Sequence, residues 1–202
     1  MTSCKQLASC GSTPALILAS ASPRRRELLA LIGLPFTVDA PDVDETCDLP
    51  PKEAVLALSR RKALAAAKLH PGQVVLAADT LVAVDNIALG KPTDESDAFR
   101  MLKMLSGRGH QVYTGVCCVD CEGTLHEGVD ETHVHFCPMT DEEILAYIAT
   151  KEPNDKAGSY AVQGIAGQWI DRLEGSHTNV IGLPLSLTRQ LLAACHLPVM
   201  GT

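Results

Sequence analysis

Between Leu16 and Leu29 the chain reads LILASASPRRRELL, and this passage constrains the fold more than any other. An apolar run with the pattern of a buried strand ends in two serines, and a proline and three arginines then open an amphipathic helix. A strand that feeds directly into a helix is half of a crossover, which points to an α/β architecture. Ser22 suits the N-cap and Pro23 the first helical position, where a missing N–H costs nothing. The N–H groups that follow stay free and, with the positive end of the helix dipole, form a natural anion site. Arg24, Arg25 and Arg26 sit unfavourably beside that end unless an anion is present. Guanidinium groups grip phosphate oxygens through paired hydrogen bonds, and the Ser20 and Ser22 hydroxyls can donate from the loop. The competing reading is an ordinary capped helix with a solvated basic first turn.

The remaining pattern places further polar residues around this cradle. The first helix is predicted from Pro23 to Ile32, with Leu28, Leu29, Leu31 and Ile32 inward and Gly33 ending it. A short strand, Phe36 to Ala40, and an acidic loop, Pro41 to Leu49, follow. Pro51 to Leu69 reads as a long helix with the stripe Val55, Leu58, Lys62, Ala65, Leu69. A lysine on such a face snorkels to water or aims its charge into a cleft. Gln73 to Ala78 is an apolar strand with Asp79 and Thr80 at its carboxyl end, where open α/β sheets hold ligands. Leu81 to Val84 and Ile87 to Leu89 form a hairpin about Asp85 and Asn86, which returns Lys91 toward Asp79.

A helix from Asp94 to Leu105 follows, with Ala98, Met101, Leu102 and Leu105 inward, and strands Val112 to Val119 and Val129 to Phe136 come next. Thr140 and Glu143 form a capping box for a helix through Ile148. Asp155 to Gly167 is a shaped loop around Gln163, Gln168 to Leu173 a strand, and a terminal helix starts at Gly182 to Pro184. Crossovers together with hairpins give a twisted mixed β-sheet with flanking helices.

Composition narrows the partners. The 202 residues suffice for one sizeable domain, here 15–202, behind a tail of residues 1–14 expected to be disordered. No apolar run has the length of a membrane span. A net charge of −7 and 3% aromatic residues argue against binding nucleic acid polymers, so an anionic partner needs a local basic pocket. Eight cysteines without a secretory signal ahead of them indicate reduced thiols and a cytoplasmic location. Cys117, Cys118 and Cys121 with His126, His133 and His135 have zinc-ligand chemistry, but adjacent Cys117 and Cys118 point to opposite faces of a strand.

Glu45 and Asp79 are suited to a magnesium or manganese ion, which takes one or two carboxylates and leaves the rest of its shell to phosphates and water. Arg25, Lys62 and Lys91 suit charge developing on phosphate oxygens, and Asp79 suits the orientation of a water nucleophile. Ser20, Arg24, Arg25, Glu45, Lys62, Asp79, Thr80, Lys91 and Gln163, with the closing NVIGLPL, resemble the Maf family of nucleoside triphosphate pyrophosphatases across roughly Leu16 to Leu191. The resemblance implies two lobes around a nucleotide cleft and hydrolysis of a nucleoside triphosphate to monophosphate and pyrophosphate, with Asp79 as general base. Arg24, Thr80 and Gln163 match the dTTP/UTP branch; the branch acting on 7-methylated guanosine triphosphate carries a bulky aromatic in place of Arg24. A primary amide at Gln163 complements the N3–H and carbonyl of uracil or thymine. A non-catalytic nucleotide-binding regulator of cell division is the alternative, and both monomer and homodimer stay open.

Overall fold

One long strand, β3 (Val74–Val84), is the spine of the protein, and its two ends have different neighbours on the same edge. Val74 to Leu76 pair in parallel with β1 (Leu16–Leu18), whereas Val82 to Val84 pair antiparallel with β4 (Ile87–Leu89). Between these two ladders, among the described residues, no strand pairs with this edge from Ala77 to Leu81, and the sheet forks there. On its other edge β3 pairs continuously with β5 (Gly109–Val119). The full order is β2 (Phe36–Val38), β1, β3, β5, β6 (Leu125–Phe136), β7 (Ile170–Glu174), a mixed sheet of seven strands counting β4. The computed structural model describes residues 15–200; the expected tail 1–14, with Cys4 and Cys10, lies outside the described residues, as do 201 and 202.

Side-chain alternation distributes the core. Val75 and Ala77 face α2 (Pro51–Leu69) through Ala63 and Ala66, while Val74, Leu76 and Ala78 pack against α1 (Pro23–Ala30) and α6 (Leu185–Ala194). Beyond the fork, Val82 and Val84 pack against α3 (Glu95–Leu105) and α4 (Asp141–Ala149). Cys117 and Cys118 lie in different clusters on opposite sides of the sheet, as the strand period requires. Among the described residues no helix is long and apolar enough to cross a membrane.

Several elements follow the sequence closely. Helix α2 has the predicted bounds, with Pro51 in its first turn. The turn between β3 and β4 places both Asp85 and Asn86 at positive φ, 52° and 62°, the geometry a two-residue hairpin needs. Thr140 and Glu143 make both hydrogen bonds of the capping box.

Other expectations are corrected. Helix α1 ends at Ala30, and Leu31 is exposed rather than inward because the chain is already turning toward Gly33 at φ 82°. Leu69 is also exposed, since the buried face of α2 runs through Ala54, Val55, Leu58, Ala63 and Ala66 and has rotated away by the last turn. Asp79 and Thr80 do not end their strand; β3 runs through them to Val84, since both polar side chains find distant partners. A short helix, α5 (His177–Ile181), precedes α6 and has no counterpart in the sequence expectations.

Candidate active site

The fork opens into a cleft of about 770 Å³, within the usual size range of small-molecule sites. Its walls include Ser20, Ser22, Arg24, Arg25, Glu45, Lys62, Asp79, Thr80, Lys91 and Gln163, so the structure brings all of these sequence-predicted residues together. Arg26 is exposed and is not among the lining residues. Five cationic side chains (Arg24, Arg25, Lys62, Lys91, Lys156) line the cleft beside four acidic ones (Asp42, Glu45, Asp79, Asp155). In a chain of net charge −7, that local balance favours an anion.

Successive residues of β3 serve opposite walls. Asp79 faces α2, where Lys62 Nζ donates to its Oδ1 at 2.6 Å. The same ammonium lies 2.8 Å from Glu45 Oε1, contributed by the acidic loop. The Lys62 and Asp79 side chains are only 12% and 11% exposed, against 63% for Glu45, so the pair is embedded and Glu45 reaches in from solvent. The hydrogen bond from Lys62 holds the Glu45 carboxyl below its usual range. Lys62, at a position of mixed character on its helix face, therefore directs its charge into the cleft.

Thr80 points the other way, to α1. Arg25 donates through Nη2 to Thr80 Oγ1 at 3.1 Å, through Nη1 to Ser20 Oγ at 3.3 Å and through Nε to the Gly182 carbonyl at 2.9 Å. Burial lowers the Arg25 pKa, while the nearby Asp79 charge opposes that shift. Thr80 in turn bonds Thr114 Oγ1 at 3.0 Å, and Thr114 donates to the backbone carbonyl of Asn179. Thr114, Asn179 and Gly182 were not singled out as site residues from the sequence. Asn179 and Gly182 both lie within the NVIGLPL segment that carried the resemblance, whereas Thr114 has no local signal.

Ser22 occupies the N-cap position of α1, but its side chain makes no capping hydrogen bond; its N–H instead donates to Ser20 Oγ at 3.3 Å. The serine loop thus closes on itself without a side-chain cap on the helix. At the rim, Arg24 Nη1 lies 3.2 Å from Asp155 Oδ2, joining the α1 wall to the segment before Gln163. Lys156, also missed in the sequence, pairs with Asp155 and donates to the Glu152 carbonyl at 3.0 Å.

Fold and cleft together define an α/β protein with a forked mixed sheet and a cleft in which an arginine and serine cradle lies beside a carboxylate pair. Residues 15–195 match the family described as Maf, Maf-like protein, and the chain belongs to that family. A protein of Sphingopyxis alaskensis named dTTP/UTP pyrophosphatase is 50% identical over 190 residues, covering 92% of this chain and 99% of its own. Another of that name from Symbiobacterium thermophilum is 49% identical over 188 residues, covering 91% and 95%. The Ham1 protein of Staphylococcus aureus overlays 60% of this chain and 71% of its own at TM-score 0.46 and 16% identity.

Proposed function

We propose that this chain hydrolyses dTTP and UTP to the nucleoside monophosphate and pyrophosphate, assisted by a divalent cation, within a single domain spanning 15–202. The observation that carries this reading is the position of Lys62 between Asp79 and Glu45, in the same cleft as the Arg25 and Ser20 cradle. The names of the relatives from Sphingopyxis and Symbiobacterium support the same reaction.

In this reading the triphosphate lies along Arg24, Arg25, Ser20 and Ser22, with Lys91 on the hairpin side. Water attacks the α-phosphorus, Asp79 accepts its proton, and the bond to the bridging oxygen breaks so that pyrophosphate leaves. Arg25, Lys62 and Lys91 offset charge that grows on the phosphate oxygens. Glu45 and Asp79 fit a magnesium or manganese ion, because two hard carboxylates already converge on one cationic point, the Lys62 ammonium. Such an ion supplies neutralisation of phosphate charge when bound. Among the described residues no group of three or more His, Cys, Asp or Glu is placed to hold a metal, so phosphate and water would complete its shell.

Gln163 gives the base preference. It is exposed to the cleft and has no hydrogen-bond partner among the described residues, so its amide is available to pair with the N3–H and a carbonyl of uracil or thymine. The six cysteines among the described residues are free, which fits action on a cytoplasmic nucleotide pool. The test is incubation with dTTP, UTP, CTP and GTP plus magnesium, with pyrophosphate and orthophosphate measured separately. Pyrophosphate from dTTP and UTP is expected. Orthophosphate as the sole primary product overturns the reaction, and tight binding without turnover would make the protein a nucleotide-binding regulator.

A further inference from the structure

The segment that carries Gln163 is a tight turn, closed where the Gly164 N–H donates to the Ala161 carbonyl at 3.0 Å, and side chains hold it at both flanks. Tyr160, which lines the cleft, has its hydroxyl 2.8 Å from His110 Nε2. The next residue, Ala161, donates its N–H to Tyr147 Oη at 3.3 Å. Tyr147 donates its hydroxyl to Glu152 Oε1 at 2.8 Å. Beyond Gln163, the Glu152 carboxylate accepts from the Ile165 N–H at 3.1 Å and the Ala166 N–H at 3.5 Å. One carboxylate therefore ties the two ends of a six-residue stretch, one directly and one through a phenol.

Three further features show that this brace is built into the fold. A Cβ added at Gly164 would lie 2.5 Å from Glu152 Oε1, so a side chain there would have to push the carboxylate away from the loop amides. Tyr147 is 1% exposed, its ring packs on Trp169 at 5.5 Å, and burial and Glu152 both push its phenol pKa up, which keeps it a donor. Upstream, Gly158 N–H donates to the Gly90 carbonyl at 3.0 Å, so the same loop is fastened to the segment bearing Lys91.

We infer that Glu152, acting through Tyr147 and the loop amides, is the positioning residue for base selection and sets the place of the Gln163 amide in the cleft. The inference rests on the dTTP/UTP reading above, and it assigns Glu152 no contact with substrate. Glu152→Gln preserves the side-chain shape but puts an amide donor where an acceptor oxygen now serves the loop N–H groups. The loop is then released, and the amide of Gln163 no longer meets a pyrimidine edge in register.

The experiment is a double-mutant cycle of Glu152→Gln and Gln163→Ala, with Tyr147→Phe as a milder second route to the same loss. Steady-state kinetics with dTTP and CTP give the selectivity of each variant, and hydrogen exchange reports on the Ala161, Ile165 and Ala166 amides. Glu152→Gln should cut the dTTP-over-CTP preference about tenfold, the value of one buried polar group left unpaired. The loss should fall mainly on KM for dTTP, Tyr147→Phe should shift selectivity the same way, and the three amides should exchange faster. The double variant should be no less selective than Gln163→Ala alone, since both changes remove one interaction. Equal losses for dTTP and CTP, or additive effects in the double variant, overturn the role of Glu152. Should Glu152→Gln fail to fold, unchanged selectivity in Tyr147→Phe overturns it as well. Selectivity lost in Gln163→Ala but intact in Glu152→Gln overturns Glu152 alone, whereas wild-type protein without a thymine or uracil preference overturns the underlying reading with it.

Discussion

Gly115 stands directly opposite Asp79 in the β3–β5 ladder, at a point where helix α2 rests against the sheet. A Cβ at 115 would lie 2.5 Å from the Val55 carbonyl carbon and 2.8 Å from Leu56 N, and backbone cannot move aside as a side-chain end can. Val55 and Lys62 are seven residues apart, two helical turns. The glycine thus lets α2 lie low enough for Lys62 to reach Asp79.

Gly115→Ala should lift α2 off the sheet. Overpacking of this kind costs about 1 to 3 kcal/mol. Turnover should fall as well, since the 2.6 Å contact between Lys62 and Asp79 depends on that spacing. Urea unfolding and kcat on dTTP check both halves; wild-type values for the two would show that α2 is not held by this contact.

Asp79→Asn keeps the outline of the side chain while removing the proposed base and one of the two carboxylates facing Lys62. Loss of a general base lowers the rate by about a hundredfold or more. Pyrophosphate release at saturating nucleotide and magnesium measures it, and turnover near wild type would move the base elsewhere in the cleft.

Arg25 holds three partners on three different segments, Ser20, Thr80 and Gly182. Arg100 lies on the exposed side of α3 and, among the described residues, bonds only Asp97 and Met104, three and four residues away. Arg25→Ala should raise KM for dTTP strongly, and Arg25→Lys should not restore it, because an ammonium cannot reproduce the guanidinium fork. Arg100→Ala should change kinetics little. Comparable losses at the two positions would show that the effect is net charge rather than the cradle.

Local rules made much of this protein legible. Proline at the first turn fixes the start of α2, the capping box fixes α4, and adjacent Asp and Asn fix the hairpin that returns Lys91 to the cleft. The continuation of β3 through Asp79 and Thr80 was not legible. Two polar residues after an apolar run look like a strand end, and what satisfies them within the strand is Lys62, 17 residues before Asp79, and Arg25, 55 residues before Thr80. Thr114, behind Thr80, is hidden for the same reason: it is a fully buried polar group whose partners, Thr80 and the Asn179 carbonyl, come together only in the folded chain. The fork in the sheet needs β1 to pair with the first half of β3 across α1 and α2, a choice that no short window of sequence contains, although the β4 half of the fork is a local hairpin.

His110 makes acid stability a test of the same region. It is fully buried beside Phe136 and Tyr160, with Nε2 on the Tyr160 hydroxyl, and among the described residues Nδ1 has no hydrogen-bond partner. Burial, with a smaller contribution from the nearby His135, lowers its pKa from 6.5 to about 3. The folded protein therefore keeps His110 neutral, while the unfolded chain binds a proton there as pH drops below 6.5. The unfolded state then holds more protons, so this group's contribution to stability is complete above 6.5 and is lost progressively down to about 3. Its slope is about 1.4 kcal/mol per pH unit in that window, and the part between pH 6.5 and 5 precedes most carboxylate titration. His110→Gln retains a polar side chain that can meet the Tyr160 hydroxyl and has no proton to gain. Urea midpoints measured every half pH unit should fall steeply for wild type from 6.5 to 5 and stay nearly level for His110→Gln over the same range. Parallel curves for the two proteins would show that His110 is not the group that titrates on unfolding.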